Sequence, residues 1–99
     1  MANKEIKKLL QKMIKGYGWN ECYGGYGLNL SAGQKQMEKG NATIGFGYLE
    51  CKDYDAENAY ARFIDSTEFN ETIKTIKGSW EREEKKDGNW TLLYIRIHF

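Results

Sequence analysis

The 99-residue chain contains no proline, one histidine and two cysteines, and each scarcity narrows its chemistry. His98 is the one imidazole available as a general base, and it stands next to the last residue, a poor place to hold a ring rigidly. Cys22, Cys51 and His98 together fall short of the four ligands of a structural zinc site, and neither a CxxC nor an HExxH spacing occurs. Nothing beside either cysteine would activate it, so two reduced, packed thiols are expected rather than a thiolate–imidazole pair or a disulfide. The chain is therefore expected not to be an enzyme and to hold no metal or other cofactor. Its glycines fit neither GxxxxGK[ST] nor GxGxxG, which removes the phosphate-cradling loops.

Long apolar runs are also missing. None approaches the roughly 18 residues of a membrane span, and the opening MANKEIKKLL mixes charge with apolar residues instead of forming a secretory signal. No membrane association and a cytoplasmic location in a bacterial host cell are expected, and the sequons at Asn41, Asn70 and Asn89 then carry no glycan. The lack of proline beside abundant lysine, asparagine, isoleucine and tyrosine is the composition of an AT-rich genome such as a low-GC bacterium or its phage.

Charge is nearly balanced at +1 but unevenly placed. Met1 to Lys15 carries five lysines against one glutamate, while Lys52 to Thr72 carries six acidic residues against two basic ones. A basic end and an acidic end follow. The balanced total argues against a DNA mimic and against a dedicated DNA binder, whose phosphate contacts need a basic excess.

Ile6, Leu9, Leu10, Met13 and Ile14 repeat at helical spacing, which predicts a helix over about 4–15 with Asn3 as N-cap and Gly16 ending it. Lys4, Lys8, Lys12 and Lys15 form a basic stripe on its other side, read as a solvated face or as a contact for phosphates or an acidic partner. From Tyr17 to Leu30 aromatics alternate with glycine, and Gly24-Gly25 signals a turn between two short extended pieces. Ser31 to Lys39 is read as one or two helical turns or a loop, ending in a turn at Lys39-Gly40-Asn41. Ile44 to Cys51 reads as a strand. Asp53 or Asp55 can cap a second helix over about 55–65, in which Ala56, Ala59, Tyr60, Phe63 and Ile64 repeat the stripe while Glu57, Arg62 and Asp65 face water. Asp53, Asp55 and Glu57 do not make a calcium loop, because its turn glycine and distal glutamate are missing.

After Ser66 the β-formers dominate. Strands are expected over Thr72 to Glu83 and Trp90 to Phe99, joined by a hairpin turn at Asp87-Gly88. In the last strand Leu93, Ile95, Ile97 and Phe99 alternate with Leu92, Tyr94, Arg96 and His98, giving one core face and one partly exposed face. Glu81, Glu83 and Glu84 interleave with Arg82, Lys85 and Lys86, a mixed-charge pattern that protects a sheet edge from pairing. These elements make a single α+β domain over 1–99, a two-layer sandwich of two amphipathic helices on one mainly antiparallel sheet of four to five strands, with a C-terminal β-hairpin.

Gly45-Phe46-Gly47-Tyr48-Leu49-Glu50 resembles the central part of the RNP1 strand of RNA-recognition-motif domains, and Asp55-Ala56-Glu57-Asn58-Ala59 is similar to the helix start that commonly follows it. The resemblance covers about a quarter of the chain. Ile44 stands where the motif has a basic residue, Cys51 where it has an aromatic one, and no RNP2-bearing strand precedes the first helix. It implies a single-stranded RNA-binding module in which Phe46 and Tyr48 stack bases on an open sheet face. Tyr94, Arg96 and the lysines of the first helix would supplement them. The residues themselves leave two orientations open. If Gly47, Leu49 and Cys51 face the helices, Ile44, Phe46 and Tyr48 form a surface. If the aromatic side faces the helices, Phe46 and Tyr48 are core and the glycines leave the outer face bare, which is the expected arrangement because an exposed Ile-Phe-Tyr patch is costly.

In general character, namely small size, phage-like composition, separated charge and seven tyrosines with three tryptophans, the chain also looks like phage or mobile-element proteins that block host defence, such as anti-CRISPR proteins. That likeness implies a non-catalytic inhibitor whose partner is a larger host protein or nucleoprotein complex, occluded sterically through aromatic anchors. Its candidate contact residues are the same set: Phe46, Tyr48, Tyr94, Arg96, Lys4, Lys8, Lys12 and Lys15.

Overall fold

In a computed structural model of the chain, residues 1–17, 29–46, 56–87 and 90–99 are described. They form helix α1 (Asn3–Tyr17), strand β1 (Asn29–Ser31), helix α2 (Gln34–Glu38), strand β2 (Asn41–Phe46), helices α3 (Ala56–Ile64) and α4 (Thr67–Thr75), and strands β3 (Ser79–Asp87) and β4 (Trp90–His98). The strands make one antiparallel sheet in the order β1-β2-β4-β3, so the C-terminal hairpin supplies one edge and the short β1 the other. The helices cover one face, as the α+β sandwich reading expects.

The core lies between the layers and follows from the two periodicities. Ile6, Leu10 and Met13 of α1 meet the period-two rows Ala42, Ile44, Phe46 of β2 and Leu93, Ile95, Ile97 of β4, all buried. Tyr60 and Phe63 of α3, Phe69 of α4 and the half-buried Trp80 of β3 complete it. Successive aromatic rings are in contact: Phe46 packs edge-on against Tyr60 and Phe63 at 5.9 and 6.0 Å, Phe63 lies 5.0 Å from Phe69, and Phe69 lies 5.4 Å from Trp80. Such tilted and edge-to-face pairs add to the free energy of their burial.

Several expectations change. Asn3 lies inside α1, whose first turn is closed on the Ala2 carbonyl, and its side-chain amide donates to the Met37 carbonyl at 3.0 Å instead of capping. Helix α1 also continues through Gly16 to Tyr17. The strand expected from Ile44 begins at Asn41, and its continuation past Phe46 lies outside the described residues, as do Gly24-Gly25 and the caps Asp53 and Asp55. The β3–β4 ladder runs as far as Asp87 opposite Trp90, so Asp87 belongs to the strand, and residues 88–89 between them are outside the described set.

The largest correction concerns Thr72 onwards. Instead of a strand starting there, Thr67–Thr75 is a helix and β3 starts at Ser79. Ser66 accepts from the Phe69 amide at 3.2 Å, a side-chain cap for the first turn. Phe69, Ile73 and Ile76 then fall at helical spacing on the core side. The threonines, poor helix formers, donate their hydroxyls back to carbonyls one turn earlier, Thr72 to Glu68 at 2.7 Å and Thr75 to Glu71 at 2.8 Å. At the far end the Gly78 amide reaches the Ile73 carbonyl at 3.0 Å and the Lys77 amide reaches the Lys74 carbonyl at 3.1 Å. This double bond pattern turns the chain through a left-handed residue, here Lys77 at φ 54°.

Gly40 closes the turn between α2 and β2. Its φ is +81°, and a β-carbon there would sit 2.8 Å from the Phe99 carbonyl oxygen. Its own carbonyl accepts from the Phe99 amide at 2.9 Å, which ties the end of the chain to the start of β2.

Candidate recognition surface on the open sheet face

The alternation that buries Leu93, Ile95 and Ile97 turns Leu92, Tyr94, Arg96 and His98 to the face without helices, where each is half-buried. Register then supplies their neighbours. Tyr94 stands between Gly45 of β2 and Glu83 of β3, Arg96 between Thr43 and Glu81, and His98 between Asn41 and Ser79. On the far side of β2, Asn29 and Ser31 of β1 extend the first two of these rows.

Polar groups on this face pair along diagonals. Arg96 meets Glu83 at 3.0 Å rather than its direct partner Glu81, and His98 Nε2 lies 3.2 Å from Glu81. Each carboxylate thus meets the side chain one same-face position nearer the C-terminal end of β4 than its direct partner. The Tyr94 ring lies over Gly45, whose missing side chain makes the space; a β-carbon there would be 3.2 Å from the ring. Beside this, the Gln36 amide bridges two strands, its oxygen accepting from the Thr43 hydroxyl at 2.9 Å and its nitrogen donating to Ser31.

The candidate residues fall into three groups. Tyr94 and Arg96 lie together on the open face. Lys4, Lys8, Lys12 and Lys15 are exposed on α1, whose apolar stripe faces the core, so the sheet separates them from Tyr94. They make no ion pair with the described residues and form a surface of their own. Phe46 is corrected outright as a surface residue: it is 3% exposed and wedged against Tyr60 and Phe63, because Ile44 and Phe46 share the helix-facing side of β2. Gly45 then belongs to the open face, the aromatic-in arrangement. Tyr48 lies outside the described residues, as do Cys22 and Cys51.

Asn41, Thr43, Gln36, Glu81 and Glu83 complete the face and are not among the sequence candidates. The alternation within each strand marks which residues share a face, but only register says which strands meet.

On the helix side of β3, Arg82 joins the layers. It forms a bidentate pair with Glu57 of α3 at 2.9 and 2.5 Å, pairs with Glu84, and stacks over Tyr60 with its guanidinium 4.8 Å from the ring centre. The hydrogen bonds from Arg82 hold the Glu57 carboxyl below its ordinary range, and the two carboxylates raise Arg82 further above its already high value.

Among the described residues no cluster of three or more histidine, cysteine, aspartate or glutamate side chains could hold a metal ion, and no helix is long and apolar enough to cross a membrane. No protein-family model matches the chain, and no curated protein or solved structure matches it either. The chemistry of its surfaces is therefore what speaks to its role.

Proposed function

We propose that this chain is a non-catalytic protein-binding domain that recognises a larger protein through the open face of its sheet, with Tyr94 as aromatic anchor and Arg96 and His98 as polar contacts. The observation that carries this reading is the pairing of polar groups on that face. Arg96 is paired with Glu83, and the His98 ring lies within hydrogen-bond distance of Glu81, so the face offers an aromatic ring and a hydrogen-bonding rim without the basic excess that nucleic acid requires. Aromatic and arginine side chains dominate binding energy at such surfaces. The burial of Phe46 withdraws the principal base-stacking residue of the RNA reading, and the lysines of α1 lie across the molecule from Tyr94. The phage-like composition and separated charge support an inhibitor of a host nucleic-acid-handling defence enzyme, such as a CRISPR-Cas effector, acting by steric occlusion.

The test is capture from a bacterial host lysate with tagged wild-type chain and with the Tyr94→Ala, Arg96→Ala double variant. A nucleic-acid-handling enzyme held stoichiometrically by the wild type, inhibited in its cleavage assay and released by the double variant, is the expected result. Retention by the double variant would remove the open face from the proposal. Salt-sensitive binding of single-stranded RNA pools, lost in Tyr94→Ala, would replace a protein partner with RNA.

A further inference from the structure

Strand β3 is nine residues long and lies at the edge of the sheet, and among the described residues nothing pairs its outer side. Long exposed edges invite pairing with another chain and are usually blunted by charge. The charges of this edge are arranged differently: apart from Glu83 at its centre, Glu81-Arg82-Glu83-Glu84-Lys85 read forwards is the electrostatic complement of itself read backwards.

We propose that two copies of the chain pair through antiparallel β3 strands about a two-fold axis at Glu83, giving one continuous eight-stranded sheet. A two-fold axis relating antiparallel strands within one sheet must stand perpendicular to it, so facing residues share a face and the register centres on a residue. With Glu83 at the centre, Glu81 faces Lys85 of the second copy and Arg82 faces Glu84 of the second copy, each contact occurring twice. Trp80 faces Lys86 of the second copy, an aromatic–cation pair. The one like-charge contact, Glu83 against Glu83, is compensated because each carboxylate already holds its own Arg96 at 3.0 Å. Moving the axis to Arg82 sets Arg82 against Arg82 and Glu81 against Glu83, while moving it to Glu84 sets Arg82 against Lys86. The charge pattern thus selects one register.

Among the described residues none occupies the space a second copy needs beside β3. Helix α3 packs on β2, and the helix-side residues of β3 beyond Trp80, namely Arg82, Glu84 and Lys86, are exposed. In the pair both open faces point the same way, which places two Tyr94–Arg96 surfaces side by side. The dimer does not depend on the identity of the partner proposed above.

Sedimentation equilibrium on the full chain over the micromolar range tests it. The wild type is expected at twice its 11.5 kDa monomer mass, and Glu81→Lys and Lys85→Glu alone at the monomer mass. An equimolar mixture of the two single variants is expected to associate again, because each supplies the charge that the other needs, and the Glu81→Lys, Lys85→Glu double variant to self-associate. Lys85 is exposed and makes no ion pair with the described residues, so Lys85→Glu stays folded and is informative even if Glu81→Lys, which loses the contact with His98, does not fold. A wild type that remains monomeric, or one whose mass Lys85→Glu leaves unchanged, overturns the proposal.

Discussion

The Tyr94 ring lies against the bare backbone of Gly45, close enough that a β-carbon on Gly45 would approach it to 3.2 Å. The two residues are cross-strand partners, and an aromatic side chain over a glycine covers backbone that would otherwise face water. Tyr94 is thereby held by the sheet instead of moving freely on it, the condition under which an anchor loses little freedom on binding.

That contact predicts a coupled pair. Gly45→Ala is expected to destabilise the wild type, since the ring must shift, whereas in a Tyr94→Ala background the same change is neutral or gains up to about 1 kcal/mol from the lower chain entropy of alanine. Urea unfolding of the four proteins measures the coupling, expected at about 0.5–1 kcal/mol. Strictly additive effects would show that the ring does not rest on Gly45.

Core and surface aromatics separate by magnitude. Phe46→Ala removes a ring packed against Tyr60 and Phe63 and is expected to cost about 3–5 kcal/mol. Tyr94→Ala, on the open face, is expected to cost no more than about 1 kcal/mol. Equal small costs at both positions would put Phe46 on a surface.

Helix α4 depends on its ends. Ser66→Ala removes the cap on the Phe69 amide and is expected to lose about 1 kcal/mol. Lys77→Gly relieves a left-handed residue and is expected to gain about 1 kcal/mol. Shifts of the urea midpoint in opposite directions confirm both.

The Glu57–Arg82 pair gives a pH dependence of known sign. The Glu57 carboxyl is lowered by its bonds to Arg82, so its stabilisation is fully present above the unfolded glutamate value, about 4.3, and is lost as pH falls through the folded value. The pair is exposed, so the effect is small. Between neutral pH and pH 3 the stability of Glu57→Gln is expected to fall less than that of the wild type, and parallel curves would show that the pair contributes nothing.

Much of the architecture is legible in short-range pattern. The stripe Ile6, Leu10, Met13 and the alternation from Leu92 to Phe99 identify α1 and β4 because burial of one face is the strongest local signal. Helix α4 is not legible in the same way. Thr67, Thr72, Ile73 and Thr75 individually favour strands, and what outweighs them is the Ser66 cap together with the docking of Phe69 on Phe63 and Trp80. Local propensity is worth tenths of a kcal/mol per residue, while burying one such ring is worth several times more.

By itself the sequence determined which residues share a face: Tyr94 with Arg96 and His98, and Ile44 with Phe46. Only the tertiary structure decided which face each strand turns to the helices and which strands meet. It put Phe46 in the core, brought Gly45 under Tyr94 and set β3 at an edge, because the strand order turns on the β2–β4 pairing, whose partners lie about 50 positions apart and whose energies no local window contains.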